Sequence, residues 1–97
     1  MKSLYPENKC ALCGKTYWLE RHHIFNGAFR KKSEKYGAVC MLCHWCHNEP
    51  PNGVHYNAEE MRKLKADAQR RIENYYNIST DEFIQLFGKN YKEENNE

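Results

Sequence analysis

Apolar positions follow two regimes along the chain. From Asn57 onward, Met61, Leu64, Ala68, Ile72 and Tyr75 recur at spacings of three and four, the periodicity of an amphipathic helix. Asn57 suits an N-cap, with Glu60 three residues on. The stretch "STDEFIQLFG" repeats this grammar in miniature: Ser79 caps, Glu82 completes a capping box, Phe83, Leu86 and Phe87 share a face, and Gly88 terminates. Before residue 57 the pattern is shorter and strand-like. "TYWLERHHIF" and "AVCML" are rich in β-branched and aromatic residues and predict strands. Between them, "NGAFRKKSEKYG" is polar and glycine-bounded, a loop with room for a helical turn. "EPPNGVHY" carries two prolines and an Asn-Gly pair, which exclude a regular helix. Two strands followed by helices make an α+β chain, read as one domain over residues 1–97. It divides into a core at 10–56, helices at 57–88 and a frayed tail at 89–97.

Composition changes this picture in one respect. Only 40% of the 97 residues are hydrophobic and mean hydropathy is -1.00, so the core is thin and a metal staple would compensate. No run approaches the roughly 18 apolar residues of a membrane span, and "MKSLYPENK" lacks the apolar centre of a signal peptide. A soluble, cytoplasmic protein is the expectation. Net charge is only +2, but Arg21, Arg30, Lys31, Lys32 and Lys35 cluster locally, and such a patch suits phosphates. Lys63, Lys65, Arg70 and Arg71 read equally well as an ordinary solvated face.

Cysteine usage is more decisive. Of five cysteines, four form two CxxC pairs, Cys10/Cys13 and Cys43/Cys46, and four thiolates are a complete ligand set for structural zinc. His44 and His47 adjoin the second pair, and either could replace a thiolate. A redox CxxC would need a thioredoxin-like βαβ context that the pattern lacks. Cys40, left over on an apolar run, reads as a buried small hydrophobe. Of five histidines, His22, His23, His47 and His55 fall where converging elements could hold a second divalent ion. Neighbouring strand residues face opposite ways, so His22 and His23 should have different tasks. One would ligate the ion while the other takes a proton from water.

The ordered set "CALCGK", "LERHHI", "AVCMLCHWCHN" and "VHY", over residues 10–56, resembles the HNH (ββα-metal, His-Me finger) endonucleases, and most of all the small HNH-type proteins of bacteriophages and prophages. The resemblance implies a zinc-stapled ββα-metal core with a C-terminal helical extension. It implies that His23 is the general base and that His22, His47 and His55 hold one catalytic divalent cation, with Mg, Mn, Ni and Zn all candidates. That ion would polarise the scissile phosphate and stabilise the leaving 3′ oxygen. Arg21, Arg30, Lys31, Lys32 and Lys35 would meet DNA phosphates. The activity implied is hydrolysis of DNA phosphodiester bonds in phage DNA metabolism or recombination, inside a bacterial host. Its partners would be phage or host recombination and replication proteins, and the chain would act as a monomer or homodimer. Two departures stand out. Ala38 occupies the place of the asparagine that holds the loop and orients the base in that family, with Asn26 and Asn48 as possible substitutes, and "EPPNG" must fold back before His55 reaches a metal.

Two other classes remain: a zinc-stabilised nucleic-acid-binding module without catalysis, and an adaptor docking through the helix at 57–76. A deaminase does not fit, because Phe25 stands where the glutamate two residues after its histidine is required. Tyr17, Trp18, Phe25 and Phe29 could form a base-stacking platform, but packing is the better reading in so small a core. Trp45, between two zinc ligands, is a candidate partner contact.

Overall fold

The computed structural model describes residues 3–92. Two antiparallel strands, β1 (Leu19–His23) and β2 (Val39–Cys43), place His22 opposite Cys40 and His23 opposite Val39. Between them run a 3-10 turn (Gly27–Phe29) and a short helix, α1 (Arg30–Lys35). Helix α2 (His44–Asn48) follows β2 directly, and a second 3-10 turn (Val54–Tyr56) leads to α3 (Ala58–Tyr76) and α4 (Thr80–Phe87). The architecture is α+β, as the hydrophobic pattern predicts. Among the described residues no helix is long and apolar enough to cross a membrane.

β1 is shorter than its composition suggests. Trp18 has φ 52°, a left-handed conformation that a bulky residue adopts at a cost, so extended backbone begins only at Leu19. The helices follow their local signals closely. The Asn57 side chain accepts from Glu60 N, and Ser79 and Glu82 form a reciprocal capping box. Gly88 ends α4 at φ 90°, in the left-handed region open to glycine. One position differs: Tyr75 is exposed, and Tyr76 turns inward to meet Tyr36 edge-on at 5.3 Å. Both follow Ile72 at a helical spacing, and the aromatic partner on the loop side selects the second.

The core joins the two regimes. Phe25, two residues beyond His23, is 1% exposed and lies 4.7 Å from Phe87 and 5.1 Å from Tyr91 between ring centroids. Fully burying such a ring contributes roughly 1.5–3 kcal/mol, so the helical extension holds the chain immediately downstream of β1. Phe25 is therefore a packing residue. The tail expected to fray starts otherwise: Tyr91 packs on Phe25, Tyr91 N donates to Gln69 Oε1, and Lys92 pairs with Glu73 at 2.6 Å. Buried Gln69 also donates to Asn90, which fixes this turn. Residues 93–97 of that tail lie outside the described residues.

Candidate functional site

Four sulfurs meet where the first knuckle packs against the end of β2. Cys10, Cys13, Cys43 and Cys46 each present a sulfur within 4.8 Å of the other three. The Cys13 and Cys43 sulfurs stand 3.6 Å apart, much longer than a disulfide and close to the ~3.8 Å edge of a tetrahedron with zinc–sulfur bonds of about 2.3 Å. Gly14 at φ 84° turns the knuckle, and its N–H donates to Cys10 O. Burial opposes ionisation of Cys10, yet backbone N–H groups of Cys43, Cys13 and Leu12 bring its thiol down to about 6. Burial and then the neighbouring thiols push Cys46 up. Four thiols crowded into one volume cannot all ionise unless a cation joins them. The group is close enough to hold a metal ion, and its donors suit zinc. Cys40 stands apart: it is 1% exposed and burial pushes its thiol up to about 12, so it packs as an apolar residue.

A second group forms on the adjoining face. His22, His47 and His55 bring one ring nitrogen each within 4.8 Å of the others. Burial, and then the neighbouring His47 and His55, hold His22 down to about 3, so its ring is neutral at ordinary pH. Its Nε2 is a buried polar atom with no hydrogen-bond partner among the described residues. Such orphans are rare and costly, and a cation is the partner that a neutral imidazole nitrogen in this setting lacks. Burial likewise lowers His55. His47 Nδ1 lies 2.7 Å from Glu20 Oε1, and a proton on that nitrogen makes its Nε2 the acceptor, 3.0 Å from His55 Nε2. A carboxylate fixing one nitrogen while the other faces a metal is a common outer-sphere arrangement. Glu20 also accepts from Asn48 at 2.9 Å and lies 3.2 Å from His44 Nδ1. The His47 hydrogen bond leads the contacts that hold the Glu20 carboxyl below its usual range.

His55 arrives because the proline-rich segment folds back. Gly53 N donates to Glu49 O at 2.7 Å, and Val54, 2% exposed, anchors the turn. A Cβ on Gly53 would stand 2.7 Å from Glu49 N and 3.0 Å from Asn48 N, both backbone atoms that cannot rotate away. Gly53→Ala is therefore expected to displace His55 and weaken metal binding by the histidine group about 10- to 100-fold, the range seen when a ligand's support is lost. The four-cysteine group should be unaffected. Metal titration followed by histidine NMR signals checks this, and unchanged affinity would show that the turn does not govern His55.

His23 lies outside this trio, as strand alternation requires. It shares the opposite face of β1 with Arg21, and both reach Glu34 on α1: His23 Nε2 lies 2.6 Å from Glu34 Oε1, while Arg21 donates to both carboxylate oxygens at 3.2 and 2.7 Å. Arg21 is thus engaged within the chain. Lys32 donates to Leu86 O at 2.8 Å, and Lys35 lies 5.6 Å from the Tyr36 ring. Of the expected basic cluster, Arg30, Lys31 and Lys35 are exposed on α1, and among the described residues Arg30 and Lys31 have no partner there as Lys35 has in Tyr36. The loop that would have used an asparagine at position 38 is held by Ser33, whose hydroxyl accepts from Phe25 N and donates to Ala38 O at 2.6 Å. Asn48 serves Glu20 instead, and Asn26 makes no side-chain cap.

His44 belongs to neither metal group. It is stacked 4.4 Å from Trp18 and bonded between Glu20 and Glu49. Tyr17, Trp18 and Trp45 are exposed beside the knuckle. Sequence reasoning missed Glu20, Ser33 and Glu34. For Glu20 a signal existed, since a residue two before His22 on a strand shares its face. Comparisons with models of protein families, with curated proteins and with solved structures find no match to this chain.

Proposed function

We propose that this chain is a metal-dependent endonuclease of HNH type that hydrolyses DNA phosphodiester bonds, with zinc on the four cysteines as its staple. The observation that carries the reading is the unpartnered, buried Nε2 of His22 facing His47 and His55, an arrangement with no purpose in packing and a clear one in ligating a divalent cation. When bound, such a cation supplies Lewis-acid polarisation of a phosphate oxygen and neutralises charge at the leaving oxygen. The rest of the work falls to the chain. His23, on the other side of β1, takes a proton from the attacking water. Arg30 and Lys31 meet neighbouring phosphates. The ion could be Mg, Mn, Ni or Zn, and the activity would serve phage DNA metabolism or recombination within a bacterial cytoplasm, as monomer or homodimer.

The test is a plasmid-nicking assay on protein whose histidine site has been stripped and then supplied with each divalent ion in turn. Supercoiled DNA should be nicked with at least one ion, and His47→Ala should lose both that ion and the nicking while keeping its zinc. No nicking with any ion, with DNA still bound, would overturn the enzyme reading. It would favour a nucleic-acid-binding module, for which the exposed rings of Tyr17, Trp18 and Trp45, with Lys15 5.5 Å from the Trp45 ring, are the supporting feature.

A further inference from the structure

The contact between His23 and Glu34 has a directional meaning. A carboxylate at 2.6 Å from a ring nitrogen is a hydrogen bond only if one of the two carries the proton. Arg21 grips Glu34 through both oxygens, and its guanidinium, first through hydrogen bonding and then together with His23, holds that carboxyl down to about 2. Glu34 is therefore an acceptor at any working pH. Arg21 Nη1 also stands 3.4 Å from His23 Nε2, but the carboxylate is much nearer at 2.6 Å, and a proton on Nε2 makes that contact a hydrogen bond. The singly protonated ring then has its lone pair on Nδ1. Among the described residues none hydrogen-bonds that nitrogen.

Resting on the nuclease reading above, we propose that Glu34, clamped by Arg21, is the positioning residue that fixes the tautomer and orientation of His23, so that Nδ1 is the atom that activates water. In the step itself, an O–H bond of water breaks and its proton passes to Nδ1. The water oxygen forms a new bond to phosphorus, the bond from phosphorus to the 3′ oxygen breaks, and the departing oxygen takes a proton from solvent. The imidazolium formed in that step gains an ion pair with Glu34, so the carboxylate favours the transition state as well as the starting geometry. The placement on α1 is what makes this possible: residues 30–35 form the α-helix that follows the 3-10 turn between the strands, and its fifth residue reaches back across eleven positions to β1. Arg21, two residues before His23, completes the clamp from the same strand face.

Two measurements on the full zinc-loaded chain test the proposal. The first is the nitrogen-15 spectrum of His23 at about pH 8, above the ordinary histidine range near 6.5. The wild type should show a protonated Nε2 and a bare Nδ1, and Glu34→Ala should show a mixture of tautomers. The second is cleavage kinetics, in which Glu34→Ala should lower kcat about 10- to 100-fold with KM and zinc content unchanged, and Glu34→Gln, which still offers an acceptor oxygen, should recover part of the loss. A proton on Nδ1 in the wild type, or a Glu34→Ala variant with an unchanged tautomer, would overturn the assignment. So would a Glu34→Ala variant that loses activity only through KM or zinc. The spectrum decides the role of Glu34 even if the wild type proves unable to cut DNA, so the two ideas fail separately.

Discussion

Cys43→Ser is expected to leave the chain largely unfolded at 25 °C. Cys43 is fully buried, closes β2 and opens α2, so its sulfur ties the sheet to the helix that also carries Cys46 and His47. Binding of structural zinc supplies about 10–16 kcal/mol in small domains, as large as the whole stability of a typical fold, about 5–15 kcal/mol. Serine leaves three thiolates and an unfilled position, so Cys46 on the short helix α2 is left in an incomplete ligand set. The aromatic cluster of Phe25, Phe83 and Phe87 cannot replace it, because that cluster holds the other end of the strand pair. Thermal unfolding by circular dichroism, with zinc content measured on the same sample, checks the expectation. A cooperative transition at the wild-type temperature, without zinc, would show that the four cysteines are not the staple.

His23→Ala should remove cleavage while both metal groups stay intact. The imidazole contributes to none of the nitrogens that converge from His22, His47 and His55. Its side chain is only 13% exposed, so its loss also leaves a partly buried gap beside Glu34 and costs some stability without removing a donor from either group. A positioned general base is worth about 100- to 10,000-fold in rate, and single-turnover cleavage of a labelled duplex reads that range directly. The informative comparison is with metal stoichiometry. A rate lost with both ions retained assigns proton transfer to His23, whereas a rate lost together with the second ion would make His23 a ligand and move the search for the base elsewhere.

The parts of this protein that were legible in its sequence are those governed by neighbours along the chain. Asn57 with Glu60, and Ser79 with Glu82 and Gly88, announce their helices because caps act within one turn. The two CxxC pairs announce a metal group for the same reason, although only the fold brings Cys13 to Cys43. His55 was legible as a residue type and illegible as a position, since its arrival depends on Gly53 lying against the Glu49 backbone. Glu34 and Ser33 sat unseen in a stretch that read as basic loop. Their partners are eleven and eight residues away in sequence, and no periodicity encodes a contact made by one side chain. β1 begins later than its composition predicts because aromatic residues favour strands in general, while Trp18 takes a left-handed backbone here.

One feature of β1 constrains how this chain can change. Glu20 and His22 serve one side of the ribbon, Arg21 and His23 the other. A slip of one residue against β2 would exchange the two sets, putting the His23 ring beside His47 and His55 and the His22 ring beside Glu34. The strand therefore has no tolerance for a single insertion or deletion. The segments on either side are hardly freer, because Ala38 before β2 is buried and bonded to Ser33 and Gly53 after α2 lies against the Glu49 backbone, so a change of length has to fall beyond residues 19–55.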